Sequence, residues 1–145
     1  MSRVCIYLNF KNTTEEAFKF YQSVFGGEFS GGGVARFGDF PPHEGAPQLA
    51  EGDKNLILHI ELPILGGHVL MGSDAPESFG FKIVQGNNFY INLEPDSRSE
   101  TDKLFTALSK GGQITQPLGE MFWGGYYGTV IDQFGIQWMF NCTAK

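Results

Sequence analysis

The residues best suited to acid–base chemistry in this sequence are His59 and Glu61, two positions apart. They lie in an alternating run from Leu56 to Leu62, which predicts a β-strand with both groups on its less apolar face, the face that we assign to a cavity. A histidine there could act as acid or base near neutral pH. The same pattern also suits a structural histidine held by hydrogen bonds, so both interpretations are kept.

A second polar set occurs in two similar stretches. Ile6 to Phe10 and Phe89 to Leu93 both alternate apolar side chains with tyrosine and asparagine, as a strand with one dry and one polar face does. Their polar residues are Tyr7, Asn9, Tyr90 and Asn92. Two phenols and two amides on one concave surface would hold a small polar or aromatic ligand. Alternatively, they link the first and fifth strands at the centre of the molecule.

The segment from Met121 to Gly128 is rich in aromatic residues and glycine. Its backbone can bend while its rings, Trp123 and Tyr127 among them, cover either a ligand cavity or a partner subunit. Both interpretations stay open. If the contact with a partner dominates, the protein is an interaction module rather than a ligand carrier.

These groups are positioned by one structural unit used twice. Each of the two similar strands precedes a helical pattern that ends at a pair of glycines, the helices being Thr14 to Phe25 and Ser99 to Lys110. The offset between the copies is 90 − 7 = 83 at the strands and 111 − 26 = 85 after the helices. A repeat at such spacing predicts two modules with the element order βαβββ.

The later strands support this repeat. When the last two strands are aligned with the earlier ones at an offset of 68 residues, Tyr127 corresponds to His59 and Met139 to Met71. We therefore expect an α+β fold and one domain over residues 1–145, with module one at 1–75, a linker at 76–86 and module two at 87–145. In the first helix we expect a capping box between Thr13 and Glu16. The expected buried stripe of this helix is Ala17, Phe20, Tyr21, Val24 and Phe25.

Other features predict surface or structural roles. His43, in the loop around residues 41–53, and His68, beside a turn, are expected at the surface. The triple glycine from Gly31 to Gly33 predicts a bend rather than a nucleotide loop, since no Walker lysine follows it. Asp132 is expected to start a hairpin turn, and Trp138 to pack in the core.

The composition limits the partners. The chain has 145 residues, a net charge of −6 and a hydrophobic fraction of 41%, which fits a folded acidic domain. An acidic surface repels polyphosphate and anionic lipid, so we expect neither nucleic acid nor a membrane as partner. The two cysteines are expected to be free thiols of a cytoplasmic protein, with no signal peptide or membrane span.

With these elements in place, the sequence resembles the vicinal oxygen chelate superfamily of glyoxalases, bleomycin-resistance proteins and extradiol dioxygenases, and within it the PhnB-like branch. The matching residues are Tyr7 to Phe10, Ala17 to Tyr21, His59, Leu70 to Ala75, Phe122-Trp123, Tyr127-Gly128, and Asp132 to Gly135 with Trp138. The resemblance implies that each module curls its strands into a half-barrel sheet. It also implies a small-molecule site and a homodimer.

In the metalloenzymes that the chain resembles, ligands come from the first and last strands of each module. The resemblance places Tyr7, Met71, Tyr90 and Met139 at these positions. Divalent ions prefer imidazole or carboxylate, whereas thioether sulfur suits Cu(I). We therefore expect no metal at this site. We also expect no adenosyl cofactor, since the glycine-rich loop that would hold one is missing.

The function expected from the sequence is metal-independent binding of a small molecule. The ligand-binding candidates are Tyr7, Asn9, Tyr90, Asn92, Trp123 and Tyr127. The alternative is an isomerase or lyase that uses His59 and Glu61 as catalytic groups, or a divalent metal at a relocated site around them. The identity of the ligand does not follow from the sequence.

Overall fold

The computed structural model describes residues 2–40 and 49–144. Within these ranges the chain forms two α-helices and two four-stranded mixed sheets. The chain divides into two compact units, Met1–Val84 and Gln85–Lys145. Each unit has the order βαβββ, so the predicted α+β class and the repeated module are confirmed. The single domain, with its modules at 1–75 and 87–145, stays a prediction.

The first unit contains one helix and one sheet of strand order β1-β4-β3-β2. Its elements are β1 (Ile6–Phe10), α1 (Thr14–Phe25), β2 (Ala35–Arg36), β3 (Ile57–Pro63) and β4 (Val69–Asp74). Strand β1 runs parallel to β4, whereas β3 is antiparallel to both β4 and β2. The central position of β4 brings β1 and β3 to its two sides, although about 50 residues of sequence separate them.

One face of the first sheet packs under α1. Leu8, Ile60, Leu62 and Leu70 are buried on this face. In α1 the predicted Ala17, Tyr21 and Val24 are buried, but Phe20 and Phe25 are only half-buried and Phe18 lies inside instead. Phe18 fits because Gly72 lacks a side chain: a Cβ on Gly72 would lie 2.5 Å from the Phe18 ring.

The predicted capping box at the start of α1 is wrong. Thr13 is the N-cap residue but makes no side-chain capping bond. The carboxylate of Asp74, at the end of β4, takes this role: its Oδ1 accepts from the backbone N–H of Thr14 at 3.1 Å and from the Thr14 hydroxyl at 2.7 Å. Its Oδ2 accepts from the N–H of Ile57 at 2.8 Å. One buried carboxylate therefore joins the starts of α1 and β3.

The predicted strict alternation of β3 is wrong at its first residues. Ala35 pairs with His59 and Arg36 with Ile57, so Leu58 is an extra residue, a β-bulge. The bulge turns Ile57 into the core, where it is fully buried. Beyond it the alternation predicted by the sequence holds, with Ile60 and Leu62 inside.

The second unit repeats this plan with the strand order β5-β8-β7-β6. Its elements are β5 (Ile91–Leu93), α2 (Arg98–Ser109), β6 (Gln113–Glu120), β7 (Tyr126–Ile131) and β8 (Gln137–Cys142). Ser97 caps α2 by accepting from the N–H of Glu100 at 3.0 Å. Phe105 of α2 packs against Phe140 of β8, with ring centroids 5.3 Å apart.

Asp132 and Trp138 have their predicted structural roles. Oδ1 of Asp132 accepts from the N–H groups of Phe134 and Ile136, at 2.8 and 3.1 Å, which fixes the β7–β8 hairpin turn. Oδ2 accepts from Nε1 of Trp138 at 2.8 Å, and the indole is fully buried. Both cysteines are free thiols, as predicted; Cys142 is buried and Cys5 half-buried. In the described ranges no helix is long and apolar enough to cross a membrane.

The register of the repeat differs from the predicted one at the first strands. Tyr7 pairs with Met71, and Asn92 pairs with Met139. Since Met71 and Met139 correspond, the offset of the first strands is 92 − 7 = 85, not 83. A shift of two residues keeps every side chain on the same face, so sequence periodicity could not detect it. Tyr90 therefore lies before β5 rather than in it.

Candidate functional site

The face of the first sheet that points away from α1 carries the polar residues of the first unit. Across it, Tyr7 of β1 pairs with Met71 of β4, and Met71 pairs with Glu61 of β3. These three residues form a row over three strands. One pleat along, Asn9 pairs with Ser73, and the Ser73 hydroxyl donates to Oδ1 of Asn9 at 3.0 Å. We call this surface the polar face of the first unit.

Three of these side chains form a hydrogen-bonded chain. The Tyr7 hydroxyl lies 2.8 Å from Nδ1 of His59, and Nε2 of His59 lies 2.8 Å from Oε2 of Glu61. The rings of Tyr7 and His59 are tilted by 37° with centroids 5.5 Å apart. Exposure rises outward: the Glu61 side chain is 15% exposed, that of His59 30%, and Tyr7 is 45% exposed. Hydrogen bonds thus join Tyr7 to His59 and Glu61, residues that lie in separate stretches of the sequence.

The Glu61 carboxyl group, at one end of these hydrogen bonds, is ionised. The hydrogen bond from His59 lowers the pKa of Glu61; burial opposes this, while the charges of His59 and Arg3 and the Ser30 hydroxyl assist it. An ionised carboxylate only accepts hydrogen bonds, so Nε2 of His59 must carry the proton that it shares with Glu61. In the neutral imidazole Nδ1 is then the acceptor, and the Tyr7 hydroxyl donates to it.

A glycine turn supports Glu61 from its other side. The Ser30 hydroxyl donates to Oε1 of Glu61 at 3.4 Å, and the Ser30 N–H donates to the Glu61 carbonyl at 3.0 Å. Gly31 has a φ of +66°, and a Cβ there would lie 2.6 Å from the Glu61 carboxyl carbon. The sequence predicted a bend at this triple glycine but not its contact with Glu61. Only the unusual run of three glycines indicated the position.

The second unit has a different set of side chains at the corresponding positions. The row that corresponds to Tyr7, Met71 and Glu61 consists of Asn92, Met139 and Thr129. None of these three side chains is titratable. Beside it Tyr127 pairs with Asn141. Of the two corresponding rows, that of the first unit therefore holds the titratable side chains.

Two of the predicted ligand-binding residues meet beside this second row. The Trp123 ring lies edge-on to Tyr127 with centroids 5.5 Å apart, and Nε1 of Trp123 donates to Oδ1 of Asn141 at 3.1 Å. Phe122 is 98% exposed next to them. Tyr90, 37% exposed, lies outside the row, and the Asn92 amide donates to Glu94 at 3.0 Å. Tyr7, Asn9, Tyr90 and Asn92 therefore do not occupy equivalent positions in the two units.

The other histidines differ from His59. His68 is half-buried rather than fully exposed, and its Nε2 accepts from the N–H of Ile6 at 3.4 Å. That contact ties the start of β4 to β1. His43, predicted in a surface loop, lies outside the described residues.

Two βαβββ units, each with a helix on one sheet face and polar groups on the other, define a known class of protein. The chain belongs to the Glyoxalase/Bleomycin resistance protein/Dioxygenase superfamily, whose model matches residues 8–140.

Several proteins of known sequence or structure are similar to this chain. Protein PA1353 from Pseudomonas aeruginosa is 32% identical, with 100% of both chains covered and a TM-score of 0.80. A Bacillus cereus structure, described as a putative 3-demethylubiquinone-9 3-methyltransferase, PhnB protein, is 22% identical with a TM-score of 0.73, covering 97% of this chain and 99% of its own. Protein YjdN of Escherichia coli (strain K12) is 26% identical over 93% of this chain and 91% of its own.

The side chains at the superfamily's usual metal positions do not fit a divalent ion. The first unit supplies Tyr7 and Met71, and the register gives the second unit Asn92 and Met139 instead of the predicted Tyr90. Neither the phenol and thioether of the first unit nor the amide and thioether of the second include the imidazole or carboxylate donors that such ions need. Among residues 2–40 and 49–144, no three His, Cys, Asp or Glu side chains are grouped to hold a metal.

Proposed function

We propose that the protein binds a small polar or aromatic molecule on the polar face of the first unit, and that it needs no divalent ion to do so. The observation that carries this proposal is the replacement of metal-binding side chains by Tyr7, Met71, Asn92 and Met139. The homodimer and the cytoplasmic location expected from the sequence stay predictions.

The chemistry of the polar face supports such a ligand. The Tyr7 hydroxyl and the pair Asn9–Ser73 offer hydrogen bonds, while Met71, which lies beside Tyr7, offers a flexible apolar surface. A few polar groups around an apolar centre are typical of small-molecule sites. Because the Glu61 carboxylate and the chain as a whole are negative, a neutral ligand suits this face better than a polyanion.

Metal analysis tests the proposal directly. Protein purified without chelator or added metal is expected to hold far less than one equivalent of Zn, Ni, Mn or Fe by mass spectrometry, because the donor set is too soft and too neutral. Fragments found by NMR to shift the Tyr7 and Ser73 resonances should bind equally well after treatment with chelator. A near-stoichiometric metal, or binding lost with the metal, would overturn the proposal.

A second candidate function is an acid–base enzyme, an isomerase or lyase. The specific observation in its favour is the placement of His59 between Tyr7 and Glu61, with 2.8 Å contacts on both ring nitrogens. A base oriented by a third group is the usual arrangement for proton transfer in enzymes.

Substitution of His59 separates catalysis from structure. We expect His59→Ala to slow deuterium exchange from an accepted neutral carbonyl compound in D₂O by about 10²–10⁴-fold, the usual contribution of an acid–base group, as measured by NMR. The melting temperature should change little, because the side chain is 30% exposed. His68→Ala, which removes another half-buried histidine, is the control and should leave exchange unchanged. A lowered melting temperature with unchanged exchange would assign His59 a structural role.

A further inference from the structure

The outermost group of the hydrogen-bonded chain is the phenol, not the imidazole. His59 has both nitrogens engaged, by Tyr7 at 2.8 Å and by Glu61 at 2.8 Å, whereas Tyr7 is 45% exposed. Of the three side chains, Tyr7 is therefore the most open to a molecule that approaches the polar face. His59 could touch it only after losing its bond to Tyr7.

We propose that Tyr7 is the group that exchanges a proton with the ligand, and that His59 and Glu61 form the proton relay behind it. This inference rests on the second candidate function, the acid–base enzyme, and changes the assignment of roles within it. Tyr7 becomes the catalytic residue, His59 the group that accepts the proton from Tyr7, and Glu61 the residue that positions His59.

The proton balance follows from the tautomer. A ligand with an acidic C–H or O–H gives its proton to the Tyr7 oxygen while the phenolic proton of Tyr7 moves to Nδ1 of His59. The imidazole becomes imidazolium, which keeps its Nε2–H bond to the Glu61 carboxylate. The ligand is left as an anion that accepts from the Tyr7 hydroxyl. Return of the proton to another ligand atom completes an isomerisation, and neither an oxidant nor a reductant is needed.

The charges of the relay indicate the substrate class. With the imidazole neutral, the three side chains carry the single negative charge of Glu61, which disfavours an anionic substrate. After proton uptake imidazolium and carboxylate cancel, so the relay stabilises one negative charge created on a neutral molecule. A neutral enolisable carbonyl compound meets both conditions. A phosphorylated or carboxylated compound does not.

Acylation of tyrosine tests the relay without knowledge of the substrate. In reaction with p-nitrophenyl acetate, the Tyr7 oxygen attacks the ester carbonyl, its proton passes to His59 and p-nitrophenolate leaves. Tyr90 is an internal control, since its exposure of 37% is close to the 45% of Tyr7 and it lies outside the chain of hydrogen bonds. We expect Tyr7 to be acetylated at least about tenfold faster than Tyr90, as peptide mass spectrometry would measure, because His59 acts as its base.

Variants complete the experiment. His59→Gln should bring the ratio of Tyr7 to Tyr90 labelling close to one, and Glu61→Gln should lower it partly. The ratio within one molecule corrects for any loss of folded protein. Equal labelling of the two tyrosines in the native protein, or a ratio unchanged in His59→Gln, would overturn the relay. In either case fragments that still bind the polar face would leave the binding proposal intact.

Discussion

Replacement of Asp74 by alanine is expected to lower the free energy of unfolding by about 3–5 kcal/mol, since each buried donor left unsatisfied costs about 1–3 kcal/mol. Asp74 is 4% exposed and accepts from the N–H and hydroxyl of Thr14 and from the N–H of Ile57. Its loss would uncap α1 and release the start of β3, the strand that carries His59. Urea denaturation at neutral pH, followed by circular dichroism, measures the change.

Two further variants make this result interpretable. Asp74→Asn keeps the volume but turns an NH₂ group towards one of the donors, so a loss of about 1–3 kcal/mol is expected even if the alanine variant does not fold. Asp53 is a matched control because its carboxylate accepts one exposed bond, from the Ser78 hydroxyl at 2.7 Å. Asp53→Ala should cost about 1 kcal/mol or less. An Asp74→Ala protein as stable as this control would contradict the assigned role.

The elements with strong local patterns could be predicted from the sequence. The predicted bounds of α1, Thr14–Phe25, agree with the structure because apolar periodicity runs through the helix and glycine ends it. The hairpin at Asp132 was also predictable from local sequence. The short carboxylate of an aspartate often accepts from the backbone N–H two residues later, as Asp132 does from Phe134.

The predictions that were wrong concern features that depend on residues distant in sequence. The cap of α1 comes from Asp74, 60 positions beyond Thr14, so the local Thr13–Glu16 pattern was misleading. Phe18 rather than Phe20 turns inward because Gly72 on β4 leaves room for its ring. The bulge at Leu58 depends on pairing with β2, which the sequence of β3 does not encode by itself.

The sequence was sufficient to predict which residues belong to the candidate site, but not the hydrogen bonds that connect them. Alternation placed Tyr7 on the polar face of β1 and His59 with Glu61 on that of β3. Their hydrogen bonds exist because β4 lies between these strands, with Tyr7 and Glu61 both paired to Met71. Strand order is a tertiary property, and a single sequence without an alignment does not reveal it. The roles given to these residues stay predictions.

Substitution of Gly31 by alanine is expected to disrupt the candidate site and to lower the free energy of unfolding by about 2 kcal/mol. The φ of +66° at Gly31 strains any residue with a Cβ by roughly 1–2 kcal/mol. The added Cβ would also lie 2.6 Å from the Glu61 carboxyl carbon, so the carboxylate must move away from His59 and Ser30. The bond from His59 is the main cause of the lowered pKa of Glu61, so this pKa should rise towards its ordinary value.

Gly32→Ala separates the backbone strain from the contact with Glu61. Gly32 has a φ of +89°, but no atom lies within 4 Å of a Cβ added there. This variant should show the backbone strain with the pKa of Glu61 unchanged, as ¹³C NMR of the carboxyl carbon would record. A group whose folded pKa lies below its unfolded value stabilises the fold above that unfolded value, and the contribution is lost as the pH falls through the folded pKa. Gly31→Ala should therefore flatten the acid limb of the stability profile, whereas Gly32→Ala should lower the profile without changing its shape. If both variants kept the native shape, Gly31 would not hold Glu61 in place.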